Sequence, residues 1–120
     1  MKILYIEDNP ANLKLVEKII KKHPEFEFFS ATTPEAGIEL ARSIQPDLIL
    51  LDINLPGMNG YEVMDNLLQS DMTKDIAVIA LTANAMALDI DKGMKKGFCD
   101  YITKPINIET FVASIQKHLD

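Results

Sequence analysis

Residues 48–57 read Leu-Ile-Leu-Leu-Asp-Ile-Asn-Leu-Pro-Gly. Four apolar residues in an unbroken run predict a strand that is buried on both faces, as in a parallel sheet. The proline and glycine that follow predict a loop directly after this strand. Asp52 stands where the strand meets the loop. The segment therefore predicts an α/β protein with a carboxylate at the carboxyl end of a central strand.

Three more apolar runs are followed in the same way by polar residues that can carry chemistry. They are residues 3–6 followed by Glu7 and Asp8, residues 76–81 followed by Thr82, and Tyr101-Ile102 followed by Lys104. In an open parallel sheet, ligand sites lie outside the carboxyl ends of the strands. We therefore expect these polar side chains and Asp52 to converge on one crevice.

Five strand-like apolar segments alternate with segments whose apolar residues recur every three or four positions. The predicted strands are residues 2–6, 26–31, 47–51, 76–81 and 99–102. The predicted helices begin near Pro10, Pro34, Gly60, Asn84 and Asn107. Parallel strands need right-handed crossovers, which place helices on both faces of the sheet. The pattern predicts one doubly wound domain over residues 1–120.

Helix boundaries and inner faces can also be assigned from sequence. Asn9, Thr33 and Asn107 are the expected N-caps, and Gly97 is the expected end of the fourth helix. The expected apolar faces are Leu15, Val16, Ile19 and Ile20 in the first helix, and Ala36, Ile38, Leu40, Ala41 and Ile44 in the second.

Composition narrows the function classes. Apolar residues make up 48% and charged residues 25% of the 120 residues, which is typical of a folded domain and not of disorder. The net charge of -6 argues against nucleic-acid binding. The chain has no basic leader and no apolar stretch long enough to cross a bilayer, so we expect a cytoplasmic protein without a membrane partner. Cys99 is alone and is expected to be a core or edge residue.

The clustering of three acids predicts a cation. Carboxylates held a few ångströms apart raise one another's pKa, and a divalent cation relieves that repulsion. Glu7, Asp8 and Asp52 offer only oxygen ligands, which suit Mg²⁺ or Mn²⁺ better than zinc or copper. A metal-bound carboxylate cluster beside Thr82 and Lys104 has the groups that phosphoryl transfer requires, and one carboxylate can be the nucleophile.

These residues, in this order and spacing, resemble the receiver domain of response regulators from bacterial two-component and phosphorelay systems. The resemblance covers the whole chain and rests on Glu7-Asp8, Asp52, Thr82-Ala83 and Lys104-Pro105. Residues 52–60 resemble the family's phosphoacceptor loop. The implied fold is a flavodoxin-like (βα)5 domain whose five-stranded parallel sheet has the order 2-1-3-4-5.

The resemblance implies a role for each acid. Asp52 would take a phosphoryl group from a phosphohistidine of a sensor histidine kinase or a histidine phosphotransfer protein. Asp8, Asp52 and the backbone carbonyl of Asn54 would bind Mg²⁺, with Glu7 helping through water. Glu7 replaces the aspartate that is commoner in the family at this position.

The resemblance also implies a switch. Thr82 and Lys104 would hold phosphoryl oxygens, and the small Ala83 would leave the phosphoryl group room to enter. The Lys104-Pro105 peptide bond resembles one that is cis in the family. Thr82 would then turn inward and Tyr101 would follow, remodelling the face made by the fourth helix, fifth strand and fifth helix. A downstream protein or an attached domain would read this face, and no turnover of an external substrate is expected.

Two other functions are open. A small Mg²⁺-dependent phosphatase resembling the haloacid dehalogenase group also uses an aspartate nucleophile. There the second residue after the nucleophile is typically an aspartate, whereas here it is Asn54, and the acid pair follows the lysine instead of preceding it. The third reading is a binding module that does not depend on phosphorylation. A stand-alone regulator and a receiver from a larger protein are equally compatible with the sequence.

Several single residues carry two interpretations. Tyr101 fits an ordinary half-buried strand position as well as a switch. A helical stripe of Ala87, Ile90 and Met94 fits a partner surface or core. Leu13, interpreted as lying off the helix face that carries Val16 and Ile20, fits a kinase contact, a core residue or a scattered surface residue. His23 and His118 are expected at helix ends and not in catalysis.

Overall fold

Five parallel strands form a single sheet in the computed structural model, which describes residues 1–83 and 94–119. They are β1 (Lys2–Ile6), β2 (Glu27–Ala31), β3 (Leu48–Asp52), β4 (Ala77–Thr82) and β5 (Asp100–Thr103). Their order in the sheet is β2-β1-β3-β4-β5. The predicted doubly wound fold and its strand order are confirmed. Most strands lie within a residue of the predicted positions, and Asp52 and Thr82 are the last residues of their strands.

The central strand β3 contributes side chains to two hydrophobic cores, one on each face of the sheet. All five of its residues are buried. Its side chains alternate between the two faces of the sheet, as strand geometry requires. Leu48 and Leu50 pack with α1 (Pro10–Lys21) and the last helix (Ile108–Leu119) on one face. Ile49 and Leu51 pack with α2 (Pro34–Ile44) and α3 (Gly60–Leu68) on the other. The unbroken apolar run is therefore explained by burial on both faces.

The helix caps follow the sequence signals. The side chain of Asn9 accepts hydrogen bonds from the backbone of Ala11 and Asn12, and Thr33 accepts one from Ala36. Asn107 accepts one from the backbone of Thr110. Residues 94–96 are helical and Gly97 follows them with φ of 115°. The predicted start of this helix at Asn84, like Ala87 and Ile90 of the proposed stripe, lies outside the described residues.

Three predictions of helix faces are wrong. Leu15 is 37% exposed, although it was expected on the inner face of α1. Leu13 is half-buried and packs against the cluster that contains Val16, because a spacing of three residues keeps two side chains on one side of a helix. In α2, Ala36 is exposed and its neighbour Gly37 is buried against the sheet.

The two histidines lie beside carboxylates, and the single cysteine packs against the core. His118 Nε2 lies 3.1 Å from Asp100 Oδ2, which also accepts a hydrogen bond of 2.8 Å from Ser114 Oγ. His23 Nδ1 lies 3.4 Å from the Glu25 carboxylate. Cys99 is partly buried and packs against the core, as expected.

None of the helices within the described ranges has the length and apolarity that a bilayer span needs.

The loop after β3 is held against the sheet by its apolar residues and its backbone. Ile53 and Leu55 are buried, with exposures of 8% and 6%. The Ile53 N–H donates to Leu81 O at 3.0 Å, and the Gly60 N–H donates to Ile53 O at 2.8 Å. A Cβ atom on Gly60 would lie 2.8 Å from the Cα of Ile53. Glycine at position 60 therefore lets α3 begin directly against the loop.

We expect Gly60→Ala to lower the free energy of unfolding by about 1–3 kcal/mol, the range typical of overpacking. The added methyl group meets the Ile53 backbone at 2.8 Å as well as the end of the Ile53 side chain at 2.9 Å. The side chain can turn away but the backbone cannot, so the loop that follows Asp52 has to move. Urea denaturation measures the change. An increase in stability, such as Gly→Ala gives at an unobstructed helical position, would contradict this account.

Candidate functional site

Four strand ends bring the predicted polar residues together at one edge of the sheet. Asp52 and Thr82 end β3 and β4, Glu7 directly follows β1, and Lys104 directly follows β5. Lys104 Nζ lies 2.9 Å from Glu7 Oε1 and 3.2 Å from Asp52 Oδ2. Glu7 is completely buried and Asp52 is 4% exposed. The site is therefore a buried carboxylate pair bridged by one ammonium group.

The acids form a cluster that can hold a metal ion. Glu7, Asp8 and Asp52 each offer one carboxylate oxygen, and these atoms lie within 4.8 Å of one another. Glu7 Oε2 is buried and has no hydrogen-bond partner among the described residues. A buried acceptor without a partner is uncommon and calls for an explanation such as an ion. The all-oxygen donor set and the orphaned oxygen fit a hard divalent cation such as Mg²⁺.

Glu7 is fixed by one of its two oxygens. Oε1 accepts hydrogen bonds from Tyr5 Oη at 3.0 Å, Asn12 Nδ2 at 2.8 Å and Lys104 Nζ at 2.9 Å. Burial raises the pKa of Glu7, but the contacts with Asp52, Lys104 and Asn12 outweigh burial and hold it at about 2. Glu7 is therefore ionised at neutral pH.

The pKa of Asp52 is shifted in the opposite direction. Burial raises its pKa, the neighbouring Glu7 carboxylate adds to this effect, and the net pKa of Asp52 is about 6. The Asn54 N–H partly opposes the rise by donating to Asp52 Oδ1 at 3.1 Å. For Lys104, burial lowers the pKa, but the two carboxylates outweigh burial and raise it above its ordinary value. Without a cation, the two buried acids therefore compete for one lysine, and Asp52 retains a proton more readily.

The remaining predicted residues surround this cluster. Thr82 is 5% exposed, and its carbonyl accepts a hydrogen bond of 2.8 Å from the Lys104 N–H. Ala83 and Asn54 are exposed, and the Lys104-Pro105 bond is cis. Tyr101 is half-buried, with its ring 6.0 Å from that of Phe98 in an edge-on arrangement. Tyr101 thus packs beside the core, a position that fits either interpretation of this residue.

Tyr5 and Asn12 were not predicted as site residues, yet both donate to Glu7. The signal for Tyr5 was present in the sequence. Alternate residues of a strand share a face, and a buried tyrosine usually has a partner for its hydroxyl. Asn12 lies in the first turn of α1, so its approach to Glu7 depends on how the loop between β1 and α1 folds back.

The raised pKa of Asp52 gives a pH-dependent stability in the absence of divalent cations. The unfolded carboxyl titrates near 3.8 and the folded one near 6. A group whose pKa is raised by folding stabilises the fold below the unfolded value, and this contribution is lost as the pH rises through the folded value. We expect the free energy of unfolding in EDTA to fall by roughly 1–3 kcal/mol between about pH 4 and about pH 7 because of Asp52.

Asp52→Asn should remove this part of the pH dependence, because an amide does not titrate. The exposed Asp71 provides a matched control, since Asp71→Asn changes charge by the same amount at a side chain that is 95% exposed. Urea denaturation of the three proteins across this pH range measures the difference. Parallel curves for wild type and Asp52→Asn would show that Asp52 has an ordinary pKa.

Comparison with known proteins shows the family to which the chain belongs. Residues 3–116 match the family model of the response regulator receiver domain. The polar-differentiation response regulator DivK of Brucella anthropi is 37% identical over 118 residues, which covers 98% of this chain and 94% of DivK. Its counterpart from Brucella ovis is 36% identical over the same length.

Solved structures give the same result. The chemotaxis protein CheY4 of Vibrio cholerae superimposes with a TM-score of 0.91 at 23% identity and shares the fold, with 98% of each chain covered. The receiver domain of the sensor histidine kinase PA1611 of Pseudomonas aeruginosa PAO1 has a TM-score of 0.88 at 26% identity, covering 98% of this chain and 96% of that one. That structure has a magnesium ion coordinated in its active site cleft. The chain belongs to the response regulator receiver domain family of two-component signalling.

Proposed function

We propose that this protein is a phosphorylation-dependent signalling switch in which Asp52 is the phosphoacceptor. The observation that carries this proposal is the environment of the Asp52 carboxylate. One oxygen accepts from the Asn54 N–H and the other contacts Lys104 Nζ, while Glu7 and Asp8 stand beside it. This arrangement can stabilise charge around a carboxylate that acts as a nucleophile.

The reaction is a phosphoryl transfer between two proteins. A carboxylate oxygen of Asp52 attacks the phosphorus of a phosphohistidine on a sensor histidine kinase or a histidine phosphotransfer protein. The P–N bond breaks, its electron pair stays on the imidazole, and the imidazole takes up a proton. The product is an acyl phosphate on Asp52. Attack requires the ionised carboxylate, so the proton that burial favours on Asp52 has to leave first.

Asp8, Asp52 and the backbone carbonyl of Asn54 would hold Mg²⁺, with Glu7 acting through water. The ion would neutralise the carboxylates and the phosphoryl oxygens during transfer. The cluster of carboxylate oxygens within 4.8 Å supports this assignment. A bound cation would supply the positive charge that a proton otherwise supplies, so that Asp52 could react as the ionised carboxylate.

Lys104 and Thr82 would bind the transferred group. Lys104 already contacts Asp52 Oδ2 and can follow the added charge with a small movement. Thr82 ends the neighbouring strand β4 and offers a hydroxyl on the same edge of the sheet. The exposed Ala83 follows it and leaves space for the phosphoryl group to enter. By contacting the phosphoryl oxygens, the two side chains would replace contacts that the Asp52 carboxylate loses when it becomes an acyl phosphate.

The output would be a changed binding face. Thr82 turning toward the phosphoryl group would allow Tyr101 to move inward, and the face of the predicted fourth helix, β5 and the last helix would change for a downstream protein or an attached domain. A cavity of about 470 Å³ lies on this face and is lined by residues that include Tyr101, Lys104 and Asn107. Because Lys104 borders both the cavity and the carboxylates, a change at Asp52 has a short route to this surface.

Intact mass after incubation with acetyl phosphate tests the nucleophile and the metal together. We expect the wild type to gain one phosphoryl group only when Mg²⁺ is present, and Asp52→Asn to gain none. Asp71→Asn should be modified like the wild type, because Asp71 is a surface residue paired with Lys74.

The other outcomes are equally informative. An adduct on Asp52→Asn would show that another residue is the nucleophile. Turnover of a chromogenic phosphate ester, with no lasting adduct, would favour the phosphatase. Equal partner affinity before and after modification of Asp52 would favour a binding module that does not use the phosphoryl group.

Thr82→Ala separates phosphorylation from switching. We expect this variant to form the Asp52 adduct but to lose most of the conformational change at Tyr101. The reason is that the Thr82 hydroxyl, which would link the phosphoryl group on Asp52 to Tyr101, is absent. Amide chemical shifts of β5 and the last helix, recorded with and without acetyl phosphate and Mg²⁺, measure the response. A full response of Tyr101 in Thr82→Ala would rule out this coupling.

A further inference from the structure

We propose that Tyr5 and Asn12 are positioning residues for Mg²⁺ binding, acting through Glu7. This inference rests on the proposed function and adds two residues to it. Both side chains donate to Glu7 Oε1, at 3.0 and 2.8 Å, and neither touches the other acids of the cluster in the described contacts. They would act on the metal only through the carboxylate that they hold.

The two oxygens of Glu7 have different surroundings. Oε1 accepts three hydrogen bonds, which exhausts its capacity as an acceptor. Oε2 is buried and lacks a hydrogen-bond partner within the described residues. Fixing one oxygen of a planar carboxylate also fixes the direction of the other. The three donors thus leave Oε2 as the oxygen that is free to serve a cation or its water.

The three donors are not equivalent. Lys104 is shared with Asp52, and in the proposed reaction it turns to the phosphoryl group. Tyr5 is completely buried in β1, and Asn12 belongs to α1, whose first turn is capped by Asn9. These two neutral donors stay with Glu7 whatever Lys104 contacts. They would keep the acid ordered and ionised throughout the cycle.

Without Tyr5 or Asn12 as a donor, the orientation of the Glu7 carboxylate would depend more on Lys104. The carboxylate would then lose conformational freedom only when Mg²⁺ binds, and this entropic cost would lower the affinity for Mg²⁺. Removing hydrogen-bond partners that orient metal ligands typically weakens binding 10–100-fold. For Tyr5→Phe and for Asn12→Ala we expect Mg²⁺ to bind about tenfold more weakly than it binds to the wild type.

Isothermal titration with Mg²⁺ measures the dissociation constant directly, without reference to phosphorylation. Asn66→Ala is the matched control for Asn12→Ala, because Asn66 also lies on a helix and its side chain donates to the Glu62 carbonyl at 2.9 Å. This control should bind Mg²⁺ like the wild type. Asn12 is only half-buried, so its variant tests the proposal even where Tyr5→Phe fails to fold.

A double-mutant cycle distinguishes positioning from a general structural role. In a Glu7→Gln background, neither Tyr5→Phe nor Asn12→Ala should weaken Mg²⁺ binding further. A dissociation constant that is unchanged in both single variants, or a loss that persists in the Glu7→Gln background, would overturn the inference. With Mg²⁺-dependent modification of Asp52 intact, the proposed function would survive that result. Absence of Mg²⁺ binding by the wild type would overturn both.

Discussion

Two buried carboxylates share one ammonium group at the carboxyl edge of the sheet, and much of this protein follows from that constraint. Glu7 and Asp52 lie on neighbouring strand ends, where water is excluded and like charges repel strongly. Lys104 contacts both and cannot neutralise both. The two carboxyl groups are stabilised in different ways. Glu7 receives two further donors and stays ionised, whereas Asp52 responds with a raised pKa.

The unequal number of hydrogen-bond donors to Glu7 and Asp52 affects both the stability of the fold and the reactivity of each carboxylate. A carboxylate that is stabilised by several donors is a weak nucleophile, and one that lacks them is more reactive once it is ionised. The arrangement concentrates the donors on Glu7 and leaves Asp52 with the backbone of Asn54 and a shared lysine. A divalent cation can satisfy both acids at once, because the cluster offers only oxygen ligands. The same site can therefore be costly to the empty fold and favourable for a metal-dependent transfer.

The scaffold holds this site through packing that lies directly beneath it. The loop after Asp52 is anchored by Ile53 and Leu55, and α3 begins against it at Gly60. On the opposite side, Lys104 is linked to β4 by its backbone hydrogen bond to Thr82. The residues that surround Asp52 thus belong to elements that share one core. In the proposed function, a change in charge at Asp52 would act on a closely packed structure, in which a local shift also displaces neighbouring elements.

The amino-acid sequence was enough to predict the alternation of strands and helices, most of the caps, and the acids, hydroxyl and lysine at four strand ends. These features depend on local patterns: an apolar run buried on both faces, a cap three residues before a backbone donor, a polar residue where a strand ends. Three features became visible only in the folded structure: the outward orientation of Leu15 and Ala36, the approach of Asn12 to Glu7, and the difference in pKa between the two buried acids. Tyr5 is different, because strand alternation already places it on the same face as Glu7. The other features depend on how the helices pack on the sheet, on how the loop between β1 and α1 folds back, and on how completely water is excluded, and local sequence patterns do not encode these.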